Sequence, residues 1–317
     1  MRHLISSLLL GCAALSATAQ EFPSRPISFI VQYAPGSGAD QLVRVITDVV
    51  HREHSARFVI RNIPGAVGVI GTTTLVKSPA DGYTIGICSA SINSAATSLM
   101  KSLPYDTTSD FTFIEPLASY TYVVSSAPEL GFTSLDELIR HSAANPDKLS
   151  YMYSNATAQV LAASLTRAIG LKALPVPYKA TQEGLNDLSQ NRVSFGVTDT
   201  GVTAPMVRTG KVKALAVIAP RRSISLPDVP SLVELGKPAI DVMAWAGVCG
   251  PKDMPSEAVT WLRERLRKAR NDPDTLEKFK LLGLDPINLG SVSFPDFVAA
   301  QLNLWTEAAR NAGIQPQ

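Results

Sequence analysis

ISFIVQYAPGSGADQLVRVITDV, residues 27–49, passes from an apolar strand through a glycine-rich turn into an amphipathic helix. Ile27 to Tyr33 carries the strand signal, and Pro35-Gly36-Ser37-Gly38 ends it. Leu42, Val45, Ile46 and Val49 then recur at helical spacing, with Arg44, Asp48 and His51 available for the opposite side. A strand that feeds a helix through a tight turn is the unit from which helix-covered parallel sheets are built, so this stretch predicts an α/β protein.

The same alternation continues outward. Phe58 to Arg61 and Tyr83 to Cys88 read as strands around a Gly-punctuated helix near Ala66 to Val76, and Asp81-Gly82 as a turn. Tyr122 to Ser125 opens a second series. Ser134-Leu135-Asp136-Glu137 is a capping box at a helix start, Leu149 to Tyr153 a strand and Ala158 to Ile169 a helix. Val193 to Val197 and Val212 to Ile218 are further strands, and Asp241 to Val248 is extended and apolar. Three helical stretches opened by Pro255-Ser256, Asp272-Pro273 and Ser293 complete the chain. At about 150 residues per domain, 317 residues suffice for two lobes. One fold accounts for the order: two lobes, each a mixed, mostly parallel sheet covered by helices, joined by two hinge strands near Tyr122 to Ala127 and Asp241 to Val248. The expected division is residues 20–124 with 245–317 in lobe 1, and 125–244 in lobe 2.

Open α/β sheets bind ligands beyond the carboxyl ends of their strands, so two facing lobes put their strand-to-helix loops in one cleft. In Gly36-Ser37-Gly38-Ala39-Asp40 the glycines admit close backbone approach, and the following helix N-terminus offers unpaired N–H groups to an anion. Ser154-Asn155-Ala156-Thr157 is the equivalent on the facing lobe. Thr198-Asp199-Thr200-Gly201 follows a third strand, and Ser89 to Asn93 a fourth. Each has a plainer reading. Glycine-rich turns often only connect elements, Asp40, Asn155 and Asp199 also suit helix caps, and a carboxylate aimed at an anion repels it.

Signatures of chemistry do not accompany these loops. Gln41 stands where a dinucleotide fingerprint needs its third glycine, and neither a P-loop nor a Gly-x-Ser-x-Gly elbow occurs. His51 and His54, beside Arg52 and Glu53, read as a solvated face rather than metal ligands, and His141 as a charge near a helix C-terminus. Trp245, Trp261 and Trp305 read as packing residues. No catalytic residue, metal or cofactor is expected. With 29 Lys and Arg against 27 Asp and Glu and no basic block, nucleic acid is not an expected partner.

The N-terminus sets the compartment. Met1, Arg2 and His3 precede an apolar run from Leu4 to Leu15 too short to span a bilayer, and Ala17-Thr18-Ala19 suits signal peptidase, so residues 1–19 read as an export signal. Leu9-Leu10-Gly11-Cys12 offers a lipoprotein alternative at Cys12. Cys88 and Cys249 would remain in an oxidising space, either as a disulfide or as buried thiols.

A set of motifs runs through the mature chain: Pro23-Ser24-Arg25-Pro26-Ile27, the loop at 35–40, Asn62 with Pro64-Gly65-Ala66, Ala80-Asp81-Gly82-Tyr83-Thr84 and Leu103-Pro104-Tyr105-Asp106. Val176-Pro177-Tyr178-Lys179, Gly210-Lys211, Ala214-Leu215-Ala216-Val217, Leu226-Pro227-Asp228-Val229-Pro230 and Trp245 with Gly247 and Pro251 follow. In this order they resemble the Bug-type solute-binding proteins of tripartite tricarboxylate transporters. The resemblance implies a monomeric periplasmic two-lobed protein. Its ligand would be a di- or tricarboxylate, an acidic amino acid or an aromatic acid, held mainly by backbone N–H groups and hydroxyls of loops 36–40 and 154–157. It would serve integral membrane transporter subunits or, alternatively, a sensor kinase; a secreted enzyme on the same lobes is the rival of another class. Ala39, Ser37, Val160 and the run Tyr153-Ser154-Asn155-Ala156 depart from the family pattern and add side chain around the pocket, which leaves the acid unnamed.

Overall fold

The computed structural model describes residues 21–146 and 148–316; the expected export signal, its cleavage site and Cys12 lie outside them. Along the first part of the chain come β1 (Ile27–Val31), α1 (Gly38–His54), β2 (Phe58–Asn62), α2 (Val69–Val76), β3 (Thr84–Ser89), α3 (Ala96–Leu99) and β4 (Phe111–Tyr120). The middle holds β5 (Tyr122–Ser126), α4 (Leu135–Ala144), β6 (Ser150–Tyr153), α5 (Ala156–Ala168), β7 (Leu174–Pro177), α6 (Thr181–Ser189), β8 (Phe195–Asp199), α7 (Thr200–Arg208) and β9 (Lys213–Ile218). The last part is β10 (Ala244–Pro251), α8 (Ser256–Arg270), α9 (Pro273–Leu281), β11 (Leu284–Pro286) and α10 (Phe294–Asn311).

Two sheets result, of order β11-β4-β10-β3-β1-β2 and β7-β6-β8-β5-β9. Each is mixed. β1 lies parallel to β2 and β3, and β6 to β7 and β8, as the strand–helix alternation requires. The strands that carry the chain between sheets, β4, β5 and β10, run antiparallel to their neighbours, a larger antiparallel share than the alternation alone suggested. Helices α1, α8 and α9 cover one face of the first sheet through Leu42, Ile46, Leu262, Leu266 and Phe279, all buried. The opposite face buries Ile30, Leu75, Cys88, Cys249 and Trp245 in a cluster that continues through α10 into α5 of the second lobe, by way of Trp305, Val160 and Leu165. Cys88 and Cys249, on adjacent strands β3 and β10, are buried free thiols.

The crossing between sheets differs in detail from the expected hinge. Tyr120 still pairs with Ala244 in the first sheet, whereas Tyr122 pairs with Asp199 and Ile218 in the second, so the chain changes sheet at Thr121, just before the expected Tyr122 to Ala127. Thr121 ties both lobes together: its N–H donates to the Gly283 carbonyl at 3.4 Å, and its carbonyl accepts from the Thr200 N–H at 2.9 Å. On the return, Asp241–Met243 are outside any strand and β10 belongs wholly to the first sheet. Residues 219–243 are therefore an irregular connector rather than a second crossing strand.

Candidate functional site

The ends of β1, β3, β6 and β8 meet where the lobes face each other, and helices begin directly beyond three of them. Ser37 caps α1 by accepting from the Asp40 N–H at 3.3 Å, and Asn155 caps α5 by accepting from the Ala158 N–H at 2.8 Å. Asp199 caps α7 through the Val202 N–H at 3.2 Å. Caps satisfy only part of each first turn. Among the described residues, the N–H groups of Gly38, Ala39 and Thr157 donate to nothing within the protein. Ser91 ties the two sides together, its hydroxyl accepting the Ala156 N–H at 3.1 Å.

These loops enclose a cavity of about 60 Å³, room for roughly four to six waters at ~10–15 Å³ each. Of the residues singled out in the sequence, Ser37, Gly38, Ala39, Ser89, Ser154, Asn155, Thr157 and Asp199 line it. Gly36, Asp40, Ala156 and Thr200 do not. Gly36 takes a φ of +79°, which only glycine adopts easily, and turns the loop so that its N–H donates to Asp40. Asp40 is buried and saturated by Gly36, Asn62 and both nitrogens of a fork from Arg44, so it holds the loop in shape and offers the cavity nothing. Ala156 spends its N–H on Ser91, and Thr200 is buried behind the wall near Gly283.

Ser91, from the Ser89 to Asn93 wall, lines the cavity too, and Tyr33, Tyr120, Tyr122, Lys179 and Trp245, which were not read as site residues, add further polar groups. Trp245 was expected only to pack. It does pack, edge-on to Phe294 and Phe297, but its Nε1–H and the Tyr120 hydroxyl are both buried without a partner. Buried donors left unpaired cost about 1–3 kcal/mol each, so such groups at a cavity wall call for an acceptor inside it. Tyrosine at the end of a strand and tryptophan in an apolar strand give no signal separable from core packing, which is why pattern alone passed over them.

Two aspartates beside this cavity behave oppositely. Burial pushes the Asp40 carboxyl up, but the hydrogen bonds from Arg44, the Gly36 N–H and Asn62 outweigh it and leave its pKa below the usual range. For Asp199, 8% exposed, burial wins over the N–H groups of its own helix, and its pKa is pushed up to about 6. Burial likewise raises the phenols of Tyr33, Tyr120 and Tyr122, which therefore stay protonated and able to donate. Among the described residues no cluster of His, Cys, Asp and Glu could hold a metal ion, and no helix is long and apolar enough to cross a membrane.

Two helix-covered sheets whose helix N-termini converge on one cavity of unpaired donors define a periplasmic binding protein of the two-lobed kind. Solved structures agree: the periplasmic binding protein BugD superposes with a TM-score of 0.88 at 29% identity, covering 93% of this chain and 100% of that one. Rpa4515 of R. palustris, solved with adipate, gives 0.88 at 28% identity, covering 94% and 100%. The family model described as tripartite tricarboxylate transporter family receptor matches residues 42–314, and the chain belongs to that family. Protein BugT of Bordetella pertussis is 28% identical over 320 residues, 98% of this chain and 97% of that protein. The chain is thus a Bug-type periplasmic solute-binding receptor, as its motifs led one to expect.

Proposed function

We propose that this receptor captures a small carboxylate in the cavity between loops 36–40 and 154–157 and presents it to the membrane subunits of a tripartite tricarboxylate-type transporter. The observation that carries the reading is the convergence of donors without acceptors. The free N–H groups of Gly38, Ala39 and Thr157 stand at the positive ends of two helices, and the Trp245 and Tyr120 donors complete the wall. A carboxylate accepts from several of these at once, while a neutral sugar would leave the helix ends uncompensated. The adipate carried by the R. palustris relative makes dicarboxylates the first class to try.

Capture proceeds by closure. The acid binds to one loop pair, the second lobe rotates about Thr121 and the 219–243 connector, and Ser91 meets the α5 N-terminus as the cleft shuts. The test is a calorimetric screen of adipate, succinate, citrate, glutamate and benzoate, with glucose and arginine as controls. One acid binding at one per chain is the expected outcome; binding of a control by a protein that ignores every acid overturns the reading.

A further inference from the structure

Asp199 presents a buried carboxyl to a cavity proposed to receive another carboxylate. Two ionised carboxylates in contact repel strongly where water is excluded, so one must hold a proton or the pair must have a cation between them. Among the described residues no cation is hydrogen-bonded to Asp199, and Lys179 at the same cavity is exposed. The Asp199 oxygen accepts from the Val202 N–H at the start of α7, and no Lys, Arg or His contributes to its titration. Across the cleft, a Cβ placed on Gly38 would lie 3.0 Å from Asp199 Oδ1 and 3.3 Å from Oδ2. The carboxyl therefore sits directly against the α1 loop where the acid is to be held.

The titratable groups facing it are few. From β1 and its loop comes Tyr33, from β4 Tyr120 and from β5 Tyr122, all raised by burial and so still protonated where Asp199 ionises. From α1 comes Asp40, already ionised and neutralised by Arg44. Lys179, after β7, lines the same cavity from an exposed position. Among the described residues, Asp199 is the carboxyl that lines the cavity, and it forms no ion pair.

We propose that Asp199 takes up a proton when the acid binds and donates it in a hydrogen bond to the ligand carboxylate, so that capture is proton-coupled. The inference rests on the carboxylate reading above. No covalent bond changes: one proton passes from the buffer to Asp199, and the incoming carboxylate accepts the hydrogen bond that results. The sign follows from the free state. With the free carboxyl titrating near 6 and the bound one held higher, uptake is small at pH 5, where Asp199 is already protonated, and approaches one proton near pH 7 to 8. Affinity then falls roughly tenfold per pH unit over that upper range.

The test is calorimetric titration, in phosphate and in Tris, of whichever acid of the screen binds best, from pH 5 to 8, on the wild type and on Asp199→Asn. Asparagine keeps the helix cap, so the variant is expected to fold. Uptake that rises from near zero to near one proton in the wild type, and is absent in Asp199→Asn, is the predicted result. Binding without proton uptake, or the same uptake in both proteins, overturns the proposal and leaves the carboxylate reading standing. If Asp199→Asn binds nothing, the wild-type proton count over the pH series decides by itself. Should no acid of the screen bind, the carboxylate reading fails and this proposal with it.

Discussion

At the scale of single residues, the site is a matter of which polar groups are already satisfied. Asp40 and Asp199 follow equivalent strand ends, yet Asp40 is consumed by Arg44, Asn62 and its own loop while Asp199 meets only helix N–H groups. Trp245 shows the same logic from the donor side. Its ring is fixed by Phe294 and Phe297, so Trp245→Phe should keep the packing and remove the Nε1–H. A hydrogen bond to a charged group contributes about 1.5–3 kcal/mol, so the variant is expected to bind its acid at least tenfold more weakly with an almost unchanged melting temperature. Calorimetry with thermal unfolding checks both, and wild-type affinity in Trp245→Phe would remove the indole from the site. All four loops singled out from sequence contribute residues to the cavity, because strand-to-helix loops advertise themselves by glycine and capping residues. Tyr33, Tyr120, Tyr122 and Trp245 were hidden, since aromatic side chains in strands read identically whether they wall a core or a pocket.

Among the elements, the strand–turn–helix units and the helix caps were legible from local chemistry alone, as with Ser134 over Glu137 at α4 and Asp272 over Thr275 at α9. β4 was not. Pro116 lies in the middle of a ten-residue central strand, where proline normally argues against pairing. It pairs opposite Gly247 beside a register shift that leaves Leu117 without a partner in β10. Pro175 and Pro177 are tolerated in β7 because that strand is an edge of the second sheet. At the cavity, α1 of one lobe approaches the start of α7 of the other at Gly38 and Asp199, where a Cβ on Gly38 would lie 3.0 Å from Asp199 Oδ1. Gly38 has an ordinary helical backbone, so Gly38→Leu should not disturb α1; its side chain would instead meet the Asp199 carboxyl across the cleft. The expected result is loss of acid binding with stability at or above wild type. Undiminished affinity would show that the two loops need not approach.

For the molecule as a whole, the apolar cluster joining α10 of one lobe to α5 of the other, and the hydrogen bonds at Thr121, describe lobes brought together over a small polar cavity. The two-lobe architecture was readable from the order of strands and helices. The exact crossing was not, because it depends on pairing between Tyr120 and Ala244, more than a hundred residues apart. The central claim is that this cavity between the lobes is built for a carboxylate. It is tested most directly by purifying the exported protein without unfolding it, releasing any bound small molecule, identifying it by mass spectrometry and titrating it back. A small acid recovered at close to one per chain, rebinding at one per chain and lost in Gly38→Leu, is the predicted result. Recovery of a neutral or cationic solute that rebinds tightly to the same cavity would contradict it.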